Sequence, residues 1–214
     1  FFVMPWLRWI GCDLAVAQEY SGPGHDIFWL PQVYDPEHFY ARPKTLGQPT
    51  CHLYDGPGNN ADTVRHALAE QAVNLKPLDK NTLWQDMSRG LVSREDFFIY
   101  IPENDHYDPT PMIWAMACGA VVITPDPGND IRLRYRFRDK HDALFYNSAD
   151  EITSLVEQNL AHPHRHTSIA QHAVARAKNF QPQPLGKRIG EYLETQVRDP
   201  ANYRKRQRIF GFEI

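Results

Sequence analysis

The stretch "DFFIYIPENDHYDPTPMIWAMACGAVVIT", residues 96–124, leaves a chain few ways to fold. Two continuous apolar runs, in 96–102 and 120–124, bracket a polar, proline-punctuated loop and a segment of small residues. Apolar runs without period-two alternation predict strands buried on both faces, as in parallel sheets. Parallel neighbours need a crossover, and "TPMIWAMACG" supplies a helical one, with Pro111 in its first turn and Gly119 at its end. Ala115, Ala117 and Gly119 let that helix lie close on the sheet. The loop 103–110 then opens at the carboxyl end of a strand, the edge where such sheets bind ligands. Helix amides near residues 110–113 point partial positive charge at this loop, so an anionic ligand is welcome there.

The same alternation runs through much of the chain. "DLAVA" (13–17), "DIFWL" (26–30), "TCHLYDG", "VNLKPL" and "DALFYN" read as strands. "NNADTVRHALAEQA", "NTLWQDMSRGL", "SADEITSLVEQNLAHP", "HTSIAQHAVARAKNF" and "PLGKRIGEYLETQV" read as helices. Strands alternating with helices of this length predict the α/β class, a Rossmann-like doubly wound parallel sheet from about residue 50 onward. The proline-rich "PQVYDPEHFYARP" reads as a connection, which divides the chain into 1–49 and a second domain of 50–214 carrying the C-terminal helices. The opening "FFVMPWLRWIG" is too short to span a bilayer and lacks the basic start and cleavage site of a signal peptide. It reads as the interior of a longer protein.

Composition narrows the function classes. A net charge of −3 exerts no overall pull toward nucleic acid or anionic membrane. Cys12, Cys51 and Cys118 are odd in number and widely spaced, which indicates neither a disulfide framework nor a zinc site and makes a reducing cytoplasm the default. "HPHRH" at 162–166 lies in a turn between helices without a fourth metal ligand nearby. "RLRYRFRDKH" allows two readings, a phosphate-binding strip with interleaved aromatics or a half-exposed segment with its cations in water. The acidic balance favours the second.

The central "PMIWAMACGAVVIT", after an acidic loop and before a Pro/Gly turn, resembles the C-terminal, donor-binding domain of GT-B glycosyltransferases of the group 1 type. "FWLPQVYDPEHFYARP" resembles that family's interdomain segment, and "ALFYNSADEITSLVEQNLAHP" and "IAQHAVARAKNF" resemble the segments after its donor site. The resemblance covers roughly residues 13–195, and it implies that residues 1–49 are the end of an N-terminal domain that would carry the acceptor site. The family's signature has two glutamates separated by seven residues. Here Trp114 stands at the second position and His106 at the first, with Glu103, Asp105 and Asp108 close by. A tryptophan can stack on a ribose or base but offers no acceptor for hydroxyls.

What the resemblance implies is a nucleotide-sugar-dependent transferase of glycan biosynthesis, with retention of configuration, no metal and no cofactor beyond the nucleotide-sugar substrate. Glu103 and His106 are its catalytic candidates. Gly56, Gly58 and Asn59 would approach the diphosphate, with Arg65 as the nearby cation. Asp105, Tyr107, Asp108, Thr110, Trp114 and Gly128 complete the expected donor contacts. Its partners would be the donor, a glycan or other acceptor and the missing N-terminal domain, with no nucleic acid and no transmembrane segment. Two other readings stay open: a glycosyltransferase-like module that binds or assembles without catalysis, and another Rossmann-like nucleotide-binding enzyme. The lack of G-x-G-x-x-G after a strand counts against the last.

Overall fold

The computed structural model describes residues 9–11, 27–43, 49–55, 60–69, 74–79, 81–102, 107–198, 208–209 and 212–213. The chain divides into two compact units, Phe1–Val33 with Phe180–Ile214, and Tyr34–Asn179. In the smaller unit, β1 (Trp9–Gly11) pairs in parallel with β2 (Ile27–Trp29). The larger unit runs β3 (Thr50–Asp55), α1 (Asn60–Ala69), β4 (Asn74–Leu78), α2 (Leu83–Ser88), β5 (Phe97–Ile101), α3 (Thr110–Ala117), β6 (Val121–Pro125), α4 (Gly128–Tyr135), β7 (Leu144–Tyr146), α5 (Ala149–Ala161) and α6 (Pro163–Ala177). The smaller unit then takes up the chain with α7 (Pro182–Arg198) and a short antiparallel pair, β8 (Arg208–Ile209) and β9 (Phe212–Glu213). There Phe28 stacks on Tyr192 of α7, ring centroids 4.2 Å apart. Among the described residues no helix is long and apolar enough to cross a membrane.

The five strands of the larger unit form one parallel sheet in the order β4-β3-β5-β6-β7. This is the doubly wound α/β, Rossmann-like arrangement that the alternation predicts. Side chains alternate between its faces. Cys51, Leu53, Phe97, Ile99, Val121 and Ile123 form one buried cluster with Val64 and Leu68 of α1 and Ile152 and Val156 of α5. On the other face stand Tyr54, stacked on both Phe98 and Tyr100, and Thr124. Strand β4 is the edge strand, mostly exposed, and it tolerates Pro77 because an edge residue can do without its ladder donor.

The segment 34–43, proline-rich and predicted as a connection, belongs to the larger unit. Asp35 closes a turn there, its backbone oxygen accepting from the Phe39 N–H at 2.9 Å and its Oδ1 from the Glu37 N–H at 2.9 Å. The turn drives Phe39 inward to 2% exposure, stacked on Trp114 of α3 at 5.2 Å and edge-on to Trp84 of α2 at 6.0 Å.

The sequence misses α4. Its "DPGND" start reads as a turn, because Pro and Gly punctuate turns and helix starts alike. Asp126 decides the outcome: its Oδ1 accepts the Gly128 N–H at 3.0 Å, and its Oδ2 receives Arg132 Nη1 at 3.1 Å. The helix ends at Arg136, left-handed at φ 57°, with the Phe137 N–H bonded back to the Arg132 carbonyl at 3.0 Å. That is a Schellman ending with arginine where glycine is the usual choice. The strand expected at 13–17 lies outside the described residues.

Gly119 ends α3 at φ 86°, and a Cβ there would stand 3.1 Å from Ala41 Cβ and 3.3 Å from Arg94 Cα. Gly119→Val combines a left-handed β-branched residue with that crowding, for an expected loss of about 2–4 kcal/mol. Urea unfolding checks it; a loss below about 1 kcal/mol would mean that neither constraint is felt.

Candidate functional site

The chain passes from β3 outward to β4 and then back across β3 to β5, so the order reverses between β3 and β5. Ligands of open α/β sheets bind in the crevice beyond the carboxyl ends of the strands at such a reversal. The last residues of the two strands, Asp55 and Ile101, are register partners. The two loops singled out in the sequence therefore leave from adjacent strand ends. Gly56, Gly58 and Asn59 of the first loop, and Glu103, Asp105 and His106 of the second, lie outside the described residues.

The described margin of this edge is ordered by its own side chains. Asp108 Oδ1 accepts the Thr110 N–H at 2.9 Å and so starts α3, with Pro109 at the cap position. One helix-start amide is thus already answered by a carboxylate, Pro111 carries no N–H, and the Ile113 N–H donates to the Pro109 carbonyl at 3.0 Å, so this helix start has little left to offer an anion. Thr110 is buried. The Tyr107 hydroxyl bonds Thr124 Oγ1 at 2.9 Å and donates to Met112 Sδ at 3.2 Å, and the ring meets Tyr100 edge-on. Tyr107 therefore pins the end of the loop onto β5, β6 and α3. Burial pushes its phenol well above the ordinary tyrosine range, which keeps it neutral and suits it to positioning.

The other predicted residues are spread along the same unit. Arg65 lies exposed on α1, paired with Asp62 at 3.2 Å. Gly128 opens α4 at φ 79°, and a Cβ there would meet nothing within 4 Å, so backbone conformation and not crowding calls for glycine. Trp114 is half-buried, with its ring stacked on Phe39 at 5.2 Å. Sequence reasoning misses Asp126, at the carboxyl end of β6, whose bonds to Gly128 and Arg132 shape the next loop of this edge. The signal was an aspartate two residues before a glycine, the spacing of an Asx turn.

Cys118 and Cys51 are buried, and burial pushes both thiols up to about 12, so neither serves as a nucleophile at neutral pH. Among the described residues no group of three or more His, Cys, Asp or Glu side chains could hold a metal ion.

The family model described as glycosyl transferase-like matches residues 64–182, more than half of the chain. No curated protein is similar enough to match. Solved structures share the fold, three of them as follows. Anabaena HepE, in complex with UDP and glucose, has a TM-score of 0.61 at 14% identity, over 87% of this chain and 62% of that one. Sucrose-phosphate synthase from Thermosynechococcus elongatus gives 0.58 at 13% identity, over 89% and 58%. A glycosyltransferase from Rickettsia africae gives 0.62 at 9% identity, over 92% and 65%. The chain thus spans less than two thirds of each of these relatives. With its family model matched across α1 to the start of α7, this chain belongs to the glycosyl transferase-like family and has the Rossmann-like fold of a group 1 glycosyltransferase C-terminal domain.

Proposed function

We propose that the chain is the donor-binding half of a glycosyltransferase that moves a sugar from a nucleotide-sugar to a glycan or other acceptor, with retention of configuration and without a metal. The observation that carries this reading is the pairing of Asp55 with Ile101 at the reversal of strand order. The strands that lead into the glycine loop and the acidic loop thus end beside each other, which supports a shared site. Crystal structures of the similar HepE with UDP and with UDP-glucose support a uridine nucleotide as donor.

In this reading Gly56 and Gly58 admit the diphosphate to the backbone, and Asn59 and the first amides of α1 share its charge with Arg65. Glu103 and His106 meet the transferred sugar and the departing phosphate. Asp105 and Asp108 stand by the sugar hydroxyls, Thr110 and Gly128 form the floor of the pocket, and Tyr107 holds the acidic loop in place. Residues 1–49 would be the end of the N-terminal domain and the interdomain segment, and the reaction cytoplasmic.

Calorimetric titration of the chain with UDP, GDP, ADP and CMP tests this. One nucleotide should bind saturably, and Glu103→Ala or His106→Ala should weaken it about tenfold or more, the equivalent of ~1.4 kcal/mol. A folded chain that binds none of them would turn the reading toward its rival, a glycosyltransferase-like module without catalysis. The packing of Trp114 on Phe39, at a position where the family carries a ribose-binding glutamate, is what favours that rival.

A further inference from the structure

Arg134, Arg136, Arg138 and Lys140 of "RLRYRFRDKH" are exposed, as the half-exposed reading expects, yet several of the arginines converge. Arg132, Arg136 and Arg138, at and beyond the end of α4, line one cleft of about 530 Å³, which Arg176 from the last turn of α6 also lines. The lining runs along α4, from Asn129 in its first turn, just beyond the carboxyl end of β6, to Arg138 past its last turn, and it includes no described residue of β3, of β5 or of the loops that follow them.

Three of the four guanidinium groups are held in place. Arg132 is bonded to Asp126 and lies over the Phe145 ring at 5.1 Å. Arg176 Nε donates to Asp142 Oδ2 at 2.9 Å. Arg138 Nε stands 4.0 Å from that same oxygen, so two arginines share one acid whose side chain is only 1% exposed. The Arg136 backbone N–H donates to the Arg132 carbonyl, but its guanidinium makes no hydrogen bond or ion pair to another described residue, and the residue occupies the left-handed position where glycine would cost the backbone less. Asp126 and Asp142 offset two of the four positive charges, and an excess of two remains. A guanidinium fork matches phosphate oxygens in bidentate fashion, and a cleft of this size admits a small anionic ligand with room to spare.

We propose that this cleft binds a phosphoryl or diphosphoryl group, at an anion site additional to the donor crevice. Arg132, Arg138 and Arg176 form its held wall, and Arg136 closes on the ligand. The phosphate can belong to a soluble ester or to a lipid headgroup.

Arg136→Gly makes the test clean, because it removes that cation while relieving the left-handed backbone. Inorganic diphosphate is titrated into the 214-residue chain by calorimetry at low ionic strength. In parallel, the chain is sedimented with phosphatidylcholine vesicles with and without phosphatidic acid. Arg136→Gly should weaken binding about fivefold with a thermal midpoint no lower than that of the parent, and Arg136→Gly with Arg138→Gln about thirtyfold. Diphosphate binding without vesicle binding points to a soluble ester; vesicle binding that needs phosphatidic acid points to a headgroup. Binding in neither arm, or equal binding by the parent and the double variant, overturns the proposal. Equal binding that UDP displaces would assign the anion to the donor crevice, so the two readings fail separately.

Discussion

Asp96→Ala is expected to remove about 3–5 kcal/mol of folding stability, a large share of the roughly 5–15 kcal/mol typical of a domain. The side chain lies just before β5 and is 4% exposed as a residue. Its Oδ1 accepts the Thr50 N–H at 3.0 Å; its Oδ2 accepts the Ser93 N–H at 3.0 Å and His52 Nε2–H at 3.4 Å. One carboxylate therefore closes the amino ends of β3 and β5. Truncation would leave two backbone donors and an imidazole N–H buried without an acceptor, and His52 Nδ1 is already buried without a hydrogen-bond partner.

The same site sets a pH dependence. Burial alone would raise the Asp96 pKa, but the bonds from His52, Thr50 and Ser93, with the charge of His52, outweigh it and hold the carboxyl below its ordinary value. Between the folded and unfolded pKa values the unfolded chain binds more protons. The contribution is therefore present in full above the unfolded value of about 3.9 and is lost as pH falls through the folded value. Urea unfolding from neutral pH into acid should show this loss in the parent chain and a shallower one in Asp96→Asn. A parent and Asp96→Ala chain within about 1 kcal/mol of each other at neutral pH would show that the carboxylate does not organise the strand ends.

Phe39→Ala has the second large effect, about 3–5 kcal/mol for emptying a buried aromatic site. The ring touches Trp114, Trp84 and Tyr34, so three aromatic side chains would lose their common neighbour. Trp114 lies half-buried on α3, and its emission should shift to the red as water reaches it. Phe39→Leu keeps most of the volume and should cost roughly 1–2 kcal/mol. Unchanged thermal midpoint and unchanged tryptophan emission in the alanine variant would mean that residues 34–43 are a passive strap.

The buried strands at 97–101 and 121–125, the helix begun by Pro111 and ended by Gly119, and the strand–loop–helix order around them were legible because each rests on neighbours in sequence. An apolar run, a missing donor and a left-handed glycine act over a few residues. The start of α3 at Thr110, where Asp108 meets the Thr110 N–H, was legible for the same reason, as a polar and proline-punctuated stretch after a buried strand. That β5 would end beside β3 was not legible, since nothing local says that β4 goes to the outside of β3 and brings β3 beside β5. Helix α4 was hidden because Asp126 chose between a turn and a helix through a bond to Arg132, six residues away. Distance hid more. Phe39 meets Trp114 from 75 residues earlier, and Arg176 joins Arg138 at Asp142 from 38 residues later. Sequence determined which segments could be strands, helices and ligand-facing loops, because those are properties of short stretches of chain. Tertiary structure decided which loops share an edge, which aromatic ring is spent on packing and which arginines converge, because each depends on burying one surface against another far away in sequence.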